Sequence, residues 1–304
     1  MRKPNFFIIG APKCGTTALS EYLRSHPRIF ISEPKEPMYF NTDHNIHGLP
    51  HYTSKYRTEN DYLICFKHAT EDDIAIGEAS TWYLYSQVAI DNILTFNPDA
   101  RFIIMIRNPV DLVYALHSEF LYSGYEDIED FETAWNVQEE RQKKQQLPTG
   151  RVEPKLLIYS EVGKLGRQLE HVYQKVSPER VKIIRFEDFA SDTAEIYKKT
   201  LKFLDVPYDG RTDFPIINEN KHIRSHRLHR ALITLNRNIV AIRLSIIAQR
   251  VFGVSSLGIS SKILLHNTKI KKRLPLSNYI YKHLTTYFQE DQDKLSFLLE
   301  KYNA

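Results

Sequence analysis

Apolar residues recur along this chain with two periods, and the switches between them mark out the elements. Residues 6–9, Phe6-Phe7-Ile8-Ile9, are continuously apolar and run straight into a glycine-rich stretch, which predicts a short buried strand followed by a loop. From Thr16 to Ser25 the apolar positions Ala18, Leu19, Tyr22 and Leu23 share one helical face, and the pattern stops before Pro27. Residues 41–73 are polar and aromatic without a clear period and predict a long surface excursion. The run 74–80 reads as a second strand and 86–98 as a helix stopped by Pro98. Residues 101–109 give the clearest strand, apolar without interruption as a parallel strand covered on both faces must be. Pro109 suits the first turn of a helix running towards Ser123. Residues 161–176 give an amphipathic helix, 180–189 a strand, and 193–206 a helix closed by Pro207; 279–302 give a closing helix.

Strands alternating with helices predict an α/β fold: three layers, with a central parallel sheet flanked by helices and a helical C-terminal extension. One domain over 1–304 is expected, with a core of about 5–205 and a helical part of about 226–304. Residues 230–253 are apolar, basic and helical in period. They read as a packed helix with a solvated basic face. The alternative is an interfacial helix in peripheral contact with an acidic membrane.

Composition narrows the function classes. The chain has 304 residues, 42% hydrophobic and 26% charged, which is ordinary globular composition with ample length for a core. Its formal net charge of +4 suits an anionic ligand and is too small and too dispersed for nucleic acid. Two cysteines, Cys14 and Cys65, imply no disulfide framework and suit a reducing compartment. The first apolar run is too short for a signal-peptide core, and no stretch approaches the ~18 apolar residues of a bilayer span. A cytoplasmic location is therefore expected.

The chemistry concentrates at Gly10–Thr17, GAPKCGTT, between the first strand and the first helix. It nearly matches the phosphate loop G-x-x-x-x-G-K-[ST]. Gly10, Gly15 and Thr17 are in place, but Thr16 fills the lysine slot and Lys13 comes three residues earlier. Backbone N–H groups of such a turn and a helix N-terminus favour an anion. The apolar strands do not end in a metal-binding aspartate; the best of them ends in Arg107. This P-loop-like site is thus expected to hold a phosphate group without metal, neutralised by Lys13 and Arg107.

PKCGTT after a strand, EPKEPMYF after the first helix and RNPVDLVYALHSEFLYSG after a later strand resemble the sulfotransferase family, closest to its bacterial and heparan-sulfate-type branch. The resemblance covers roughly residues 5–205. It implies a sulfotransferase that uses 3′-phosphoadenosine 5′-phosphosulfate (PAPS) as donor and releases adenosine 3′,5′-bisphosphate (PAP), with no metal. It implies that Lys13 reaches the oxygen bridging phosphate and sulfur, and that Cys14, Gly15, Thr16 and Thr17 hold the 5′-phosphate. Arg107 would anchor the 3′-phosphate and Glu36 would act as general base. On the residues alone, Arg107 could equally be a strand-end arginine paired with Asp111, and Glu36 an exposed acid of a charged run.

Two positions depart from the family pattern. The serine expected eight residues after the arginine is Ala115, so either Ser118, one turn further, takes its part, or the basic run 220–227 around Arg224 does. Ala79 stands where heparan-type members often carry lysine, so the acceptor, a glycan, glycolipid or small molecule, is left open. Trp82, Tyr83 and Tyr85 suit a sugar site or core packing equally. A nucleotide kinase or hydrolase, and a binding protein that has lost catalysis, are the rival readings.

Overall fold

A computed structural model describes residues 1–44, 56, 58–148, 153–217, 221–223, 225, 228, 267–270 and 273–302. Five parallel strands form the central sheet: β1 (Phe6–Gly10), β2 (Ile29–Ile31), β3 (Ala75–Glu78), β4 (Arg101–Ile106) and β5 (Val181–Arg185), in the order β2-β3-β1-β4-β5. β1 and β3 are buried at every position and β4 at all but its first, which is why β1 and β4 beyond Arg101 read as unbroken apolar runs, while β3 buries the charged Glu78 at its end. The strand order reverses between β1 and β4, which places a crevice beyond their C-terminal ends.

Helices cover the faces. α1 (Thr16–Arg24) follows β1, α2 (Glu59–Leu63) precedes β3, and α3 (Ala89–Phe96) precedes β4. α4 (Pro109–Ser123) begins with proline and ends at Gly124 in the left-handed conformation, φ 69°. Then come α5 (Phe131–Asn136), α6 (Gln138–Gln142), α7 (Tyr159–Val162), α8 (Leu165–Tyr173), α9 (Phe186–Ser191) and α10 (Thr193–Phe203). A two-stranded antiparallel ladder joins β6 (Lys221–Ile223) to β7 (Thr268–Ile270), and α11 (Asn278–Tyr302) packs across α8. There the Asp291 carboxylate of α11 accepts the N–H groups of Gly166 and Arg167 at 2.8 and 2.9 Å, capping the start of α8.

The structure corrects three expectations and decides a fourth, which had left core packing open. The helix of 161–176 is two helices, because Lys164 leaves helical geometry at ψ 72°. The strand of 180–189 ends at Arg185, and Phe186 opens α9. Residues 58–73 are not a surface excursion: α2 carries Tyr62, and Tyr62 and Phe66 are fully buried against the sheet. Trp82 and Tyr83 are core residues, Trp82 stacked on Phe120 with ring centroids 6.1 Å apart. The expected helix over 230–253 lies outside the described residues. Among the described residues no helix is long and apolar enough to cross a membrane.

Candidate active site

The turn from β1 into α1 is shaped for an anion. Gly15 holds φ +89°, and a Cβ there would stand 3.1 Å from the Phe186 ring and 3.3 Å from Met105, so glycine meets both a backbone and a space requirement. α1 starts at Thr16 with no side-chain cap and no acid in its first turn. Its first N–H groups lack intrahelical partners and carry the positive end of the helix dipole. Lys13 sits in the left-handed region at φ 63°, uncommon for a residue with a side chain, and its Nζ lies 2.9 Å from Glu119 Oε2 on α4. Cys14 is buried inside the turn, and that burial pushes its thiol far above the ordinary cysteine range. It is a packing residue whose backbone, not its sulfur, faces the loop chemistry.

Arg107 leaves the end of β4 and stacks on Phe186, 4.4 Å from ring centre, with Nη1 donating to the Lys13 carbonyl at 3.4 Å. Its Nε is buried without a hydrogen-bond partner among the described residues. A buried guanidinium N–H left unpaired is costly, and an anion beside the loop would satisfy it.

A second arginine, not singled out from the sequence, stands nearby. Arg273 lies over the Tyr114 ring at 4.9 Å. Burial lowers its proton affinity, Tyr114 opposes this, and the charge of Arg107 lowers it further. Ser118 lies one turn beyond Tyr114 on the same stripe of α4, donating to the Tyr114 carbonyl at 3.1 Å, while Ala115 is buried. Arg224 lies outside the described residues.

Glu36 also holds a left-handed backbone, φ 61°. Its Oε1 accepts from Lys35 Nζ at 2.7 Å, and the same Nζ reaches Thr17 Oγ1 at 3.2 Å. Lys35 therefore ties the carboxylate to the phosphate-type loop. Lys35 stands beside Glu36 in a charged run, where nothing in the spacing marks it. Strained backbone at both Lys13 and Glu36 is the pattern of a functional cleft. His117, the nearest histidine in sequence to α4's polar face, is buried with Nε2 2.9 Å from the Ile128 carbonyl, and burial lowers its pKa. Its Nδ1 is buried without a hydrogen-bond partner among the described residues. Among the described residues, no three His, Cys, Asp or Glu side chains converge as metal ligands.

The geometry has counterparts in known proteins. A profile described as the sulfotransferase family matches residues 4–210. Human carbohydrate sulfotransferase 15 is 31% identical over 167 residues, covering 42% of this chain and 29% of that protein. The membrane-associated sulfotransferase kil1 of Dictyostelium discoideum is 32% identical over 108 residues, covering 36% of this chain and 21% of that protein. The chain thus spans less than a third of the length of these curated relatives. A solved sulfotransferase from Alicyclobacillus acidocaldarius superposes with a TM-score of 0.63 at 28% identity, covering 80% of this chain and 96% of the other. With most of the sheet, the loop and the β4–α4 junction inside the matched span, the chain belongs to the sulfotransferase family.

Proposed function

We propose that this protein transfers a sulfuryl group from PAPS to a hydroxyl of a carbohydrate acceptor, releasing a sulfate ester and PAP. The observation that carries the reading is the convergence on one loop of Lys13, Lys35 and Arg107, with Glu36 bonded to Lys35 at 2.7 Å. A transferred sulfuryl group needs no metal if cations stand where charge develops.

Each residue then has a task. The N–H groups from Cys14 to Thr17 and the Thr16 and Thr17 hydroxyls bind the 5′-phosphate. Lys13 releases Glu119 and turns to the bridging oxygen, which gains charge as the S–O bond breaks, so its effect is greatest in the transition state. Arg107, Arg273 and Ser118 bind the 3′-phosphate. Glu36 accepts the proton of the attacking hydroxyl, whose own pKa is too high for it to attack unaided. A cavity of about 470 Å³, lined by Asp43, His44, Tyr85, Lys155, Lys164 and Arg167, has none of Lys13, Lys35, Glu36 or Arg107 in its wall and is given no part in the reaction.

The test is transfer of radiolabelled sulfate from PAPS to a panel of polysaccharides, chondroitin and heparosan among them, analysed by mass spectrometry. Label should reach a hydroxyl with wild-type protein and fall by ~10²–10⁴-fold with Glu36→Gln. Transfer undiminished in that variant would remove Glu36 from the mechanism.

A further inference from the structure

Glu78 ends β3 and is completely buried, 0% exposed, so no acceptor reaches it. Three hydroxyls donate to its carboxylate: Tyr62 of α2 at 2.9 Å, Tyr83 at 2.9 Å and Ser80 at 2.8 Å. Two of these hydroxyls also accept. Ser80 Oγ takes the N–H of Met38 at 3.0 Å, and the Tyr83 hydroxyl takes those of Tyr39 and Phe40 at 2.9 and 3.3 Å. These amides follow Glu36 directly, in a stretch where Glu36 and Met38 are both left-handed, φ 61° and 51°. Such a backbone persists only when its surroundings hold it.

We propose that Glu78 is the positioning residue for the Glu36 segment. Its carboxylate only accepts, so it obliges the Ser80 and Tyr83 hydroxyls to donate inward and leaves their lone pairs to the N–H groups of Met38, Tyr39 and Phe40. The proposal rests on Glu36 being the base. It adds that the base is aimed from beneath by a group that touches neither donor nor acceptor.

Protonation breaks this polarity. Burial pushes the Glu78 carboxyl up to about 7 against the opposing pull of Ser80, Tyr62 and Tyr83, and the charge of Glu36 pushes the same way as burial. The titratable groups facing it are Tyr62 from α2, Tyr83 from the segment after β3 and Glu36 from the segment after β2. Burial holds both tyrosines well above their ordinary range, so they stay donors. A protonated Glu78 must itself donate to one of the three hydroxyls; where that hydroxyl is Ser80 or Tyr83, the proton takes a lone pair that an amide of 38–40 uses.

The experiment is amide hydrogen exchange by NMR on wild type, Glu78→Gln, Tyr83→Phe and Ser80→Ala, with PAP affinity and the kcat of sulfate transfer from PAPS to the polysaccharide panel. Tyr83→Phe should lower protection at Tyr39 and Phe40 by about tenfold and spare Met38, and Ser80→Ala should do the reverse. Glu78→Gln keeps one acceptor oxygen and turns the other into a donor, so it should lower protection on one side of the network, at Met38 or at Tyr39 and Phe40, leave the amides of β4 unchanged, reduce kcat by about tenfold or more and leave PAP affinity within about twofold. Protection at 38–40 should fall on acidification below about 7 in wild type, and this limb should vanish in Glu78→Gln. Unchanged protection in all three variants, or an equal loss throughout β4, overturns the proposal. Failure of wild type to bind PAP counts against the functional reading, whereas the exchange pattern decides the network by itself.

Discussion

Lys13 Nζ and the Glu119 carboxylate stand 2.9 Å apart, an ion pair that joins the glycine-rich loop to the second half of α4. Both side chains are partly exposed, 32% and 44%, so the pair contributes at most ~1 kcal/mol. Glu119 is a resident anion where a ligand's anion is expected, and binding exchanges one for the other. Glu119→Gln should therefore tighten PAP binding by roughly twofold to fivefold, read by calorimetry. Weaker binding would mean that Glu119 orients Lys13 rather than competing for it.

The 3′-phosphate should depend on both arginines. Arg107→Ala removes a charge-assisted contact worth ~1.5–3 kcal/mol and should weaken PAP binding by roughly tenfold to a hundredfold. Arg273→Ala should weaken it comparably, and Ser118→Ala by several-fold as a neutral contact of about 1 kcal/mol. Adenosine 5′-monophosphate lacks the 3′-phosphate and should bind all three variants as it binds wild type. An Arg273→Ala protein with unaltered PAP affinity would return the 3′-phosphate to Arg107 alone.

Cys14 should be chemically silent. Its burial raises the thiol far above the ordinary range, and the thiolate is the reactive form. Native protein treated with iodoacetamide at pH 8 should carry no label at Cys14, and unfolded protein should carry it stoichiometrically. Rapid labelling of the native thiol would contradict the packing seen here.

Away from the cleft, Glu126 and Arg141 form a wholly buried pair, 0% exposed on both sides, with Arg141 donating at 2.6 and 2.7 Å and Tyr159 at 2.8 Å. Burial pushes the Glu126 carboxyl up, but Arg141, the Ile128 N–H and Tyr159 outweigh it and leave the pKa below the ordinary 4.5. A lowered carboxyl pKa gives stability that is present above 4.5 and is lost as pH falls through the folded value. Glu126→Gln strands the arginine charge and should cost ~3–5 kcal/mol in urea unfolding at neutral pH. The gap from wild type should narrow under acid; a gap independent of pH would deny the carboxylate its charge.

The sequence announces what local chemistry determines. β1, the loop, α1 and β4 are visible because continuous apolar runs and Gly15 leave few alternatives, and α4 is bounded by Pro109 and Gly124. β2 was missed because Ile29–Ile31 is too short to show a period. α5 and α6 were also missed, being five or six residues long. Lys13, Glu36 and Arg107 could be read from motifs, whereas Arg273 lies far along the chain from Arg107 and belongs to none of those motifs. Glu78 lies inside the run 74–80 with nothing in its spacing to single it out; only the fold shows Tyr62 arriving from α2 to complete its three donors. Ligand sites assembled from distant segments leave no spacing to recognise.

The central claim is that this loop binds a 3′,5′-phosphorylated adenosine without metal, and calorimetric titration of the intact protein with PAP in the presence of EDTA tests it most directly. Saturable binding should appear without metal, weaken by roughly tenfold to a hundredfold in Arg107→Ala, and add ~2.7 kcal/mol of stability at about 100 times Kd. ATP with magnesium should bind more weakly, since it lacks the 3′-phosphate for Arg107 and Arg273. No heat with PAP, alongside tight magnesium-dependent binding of ATP, would contradict the donor site proposed here.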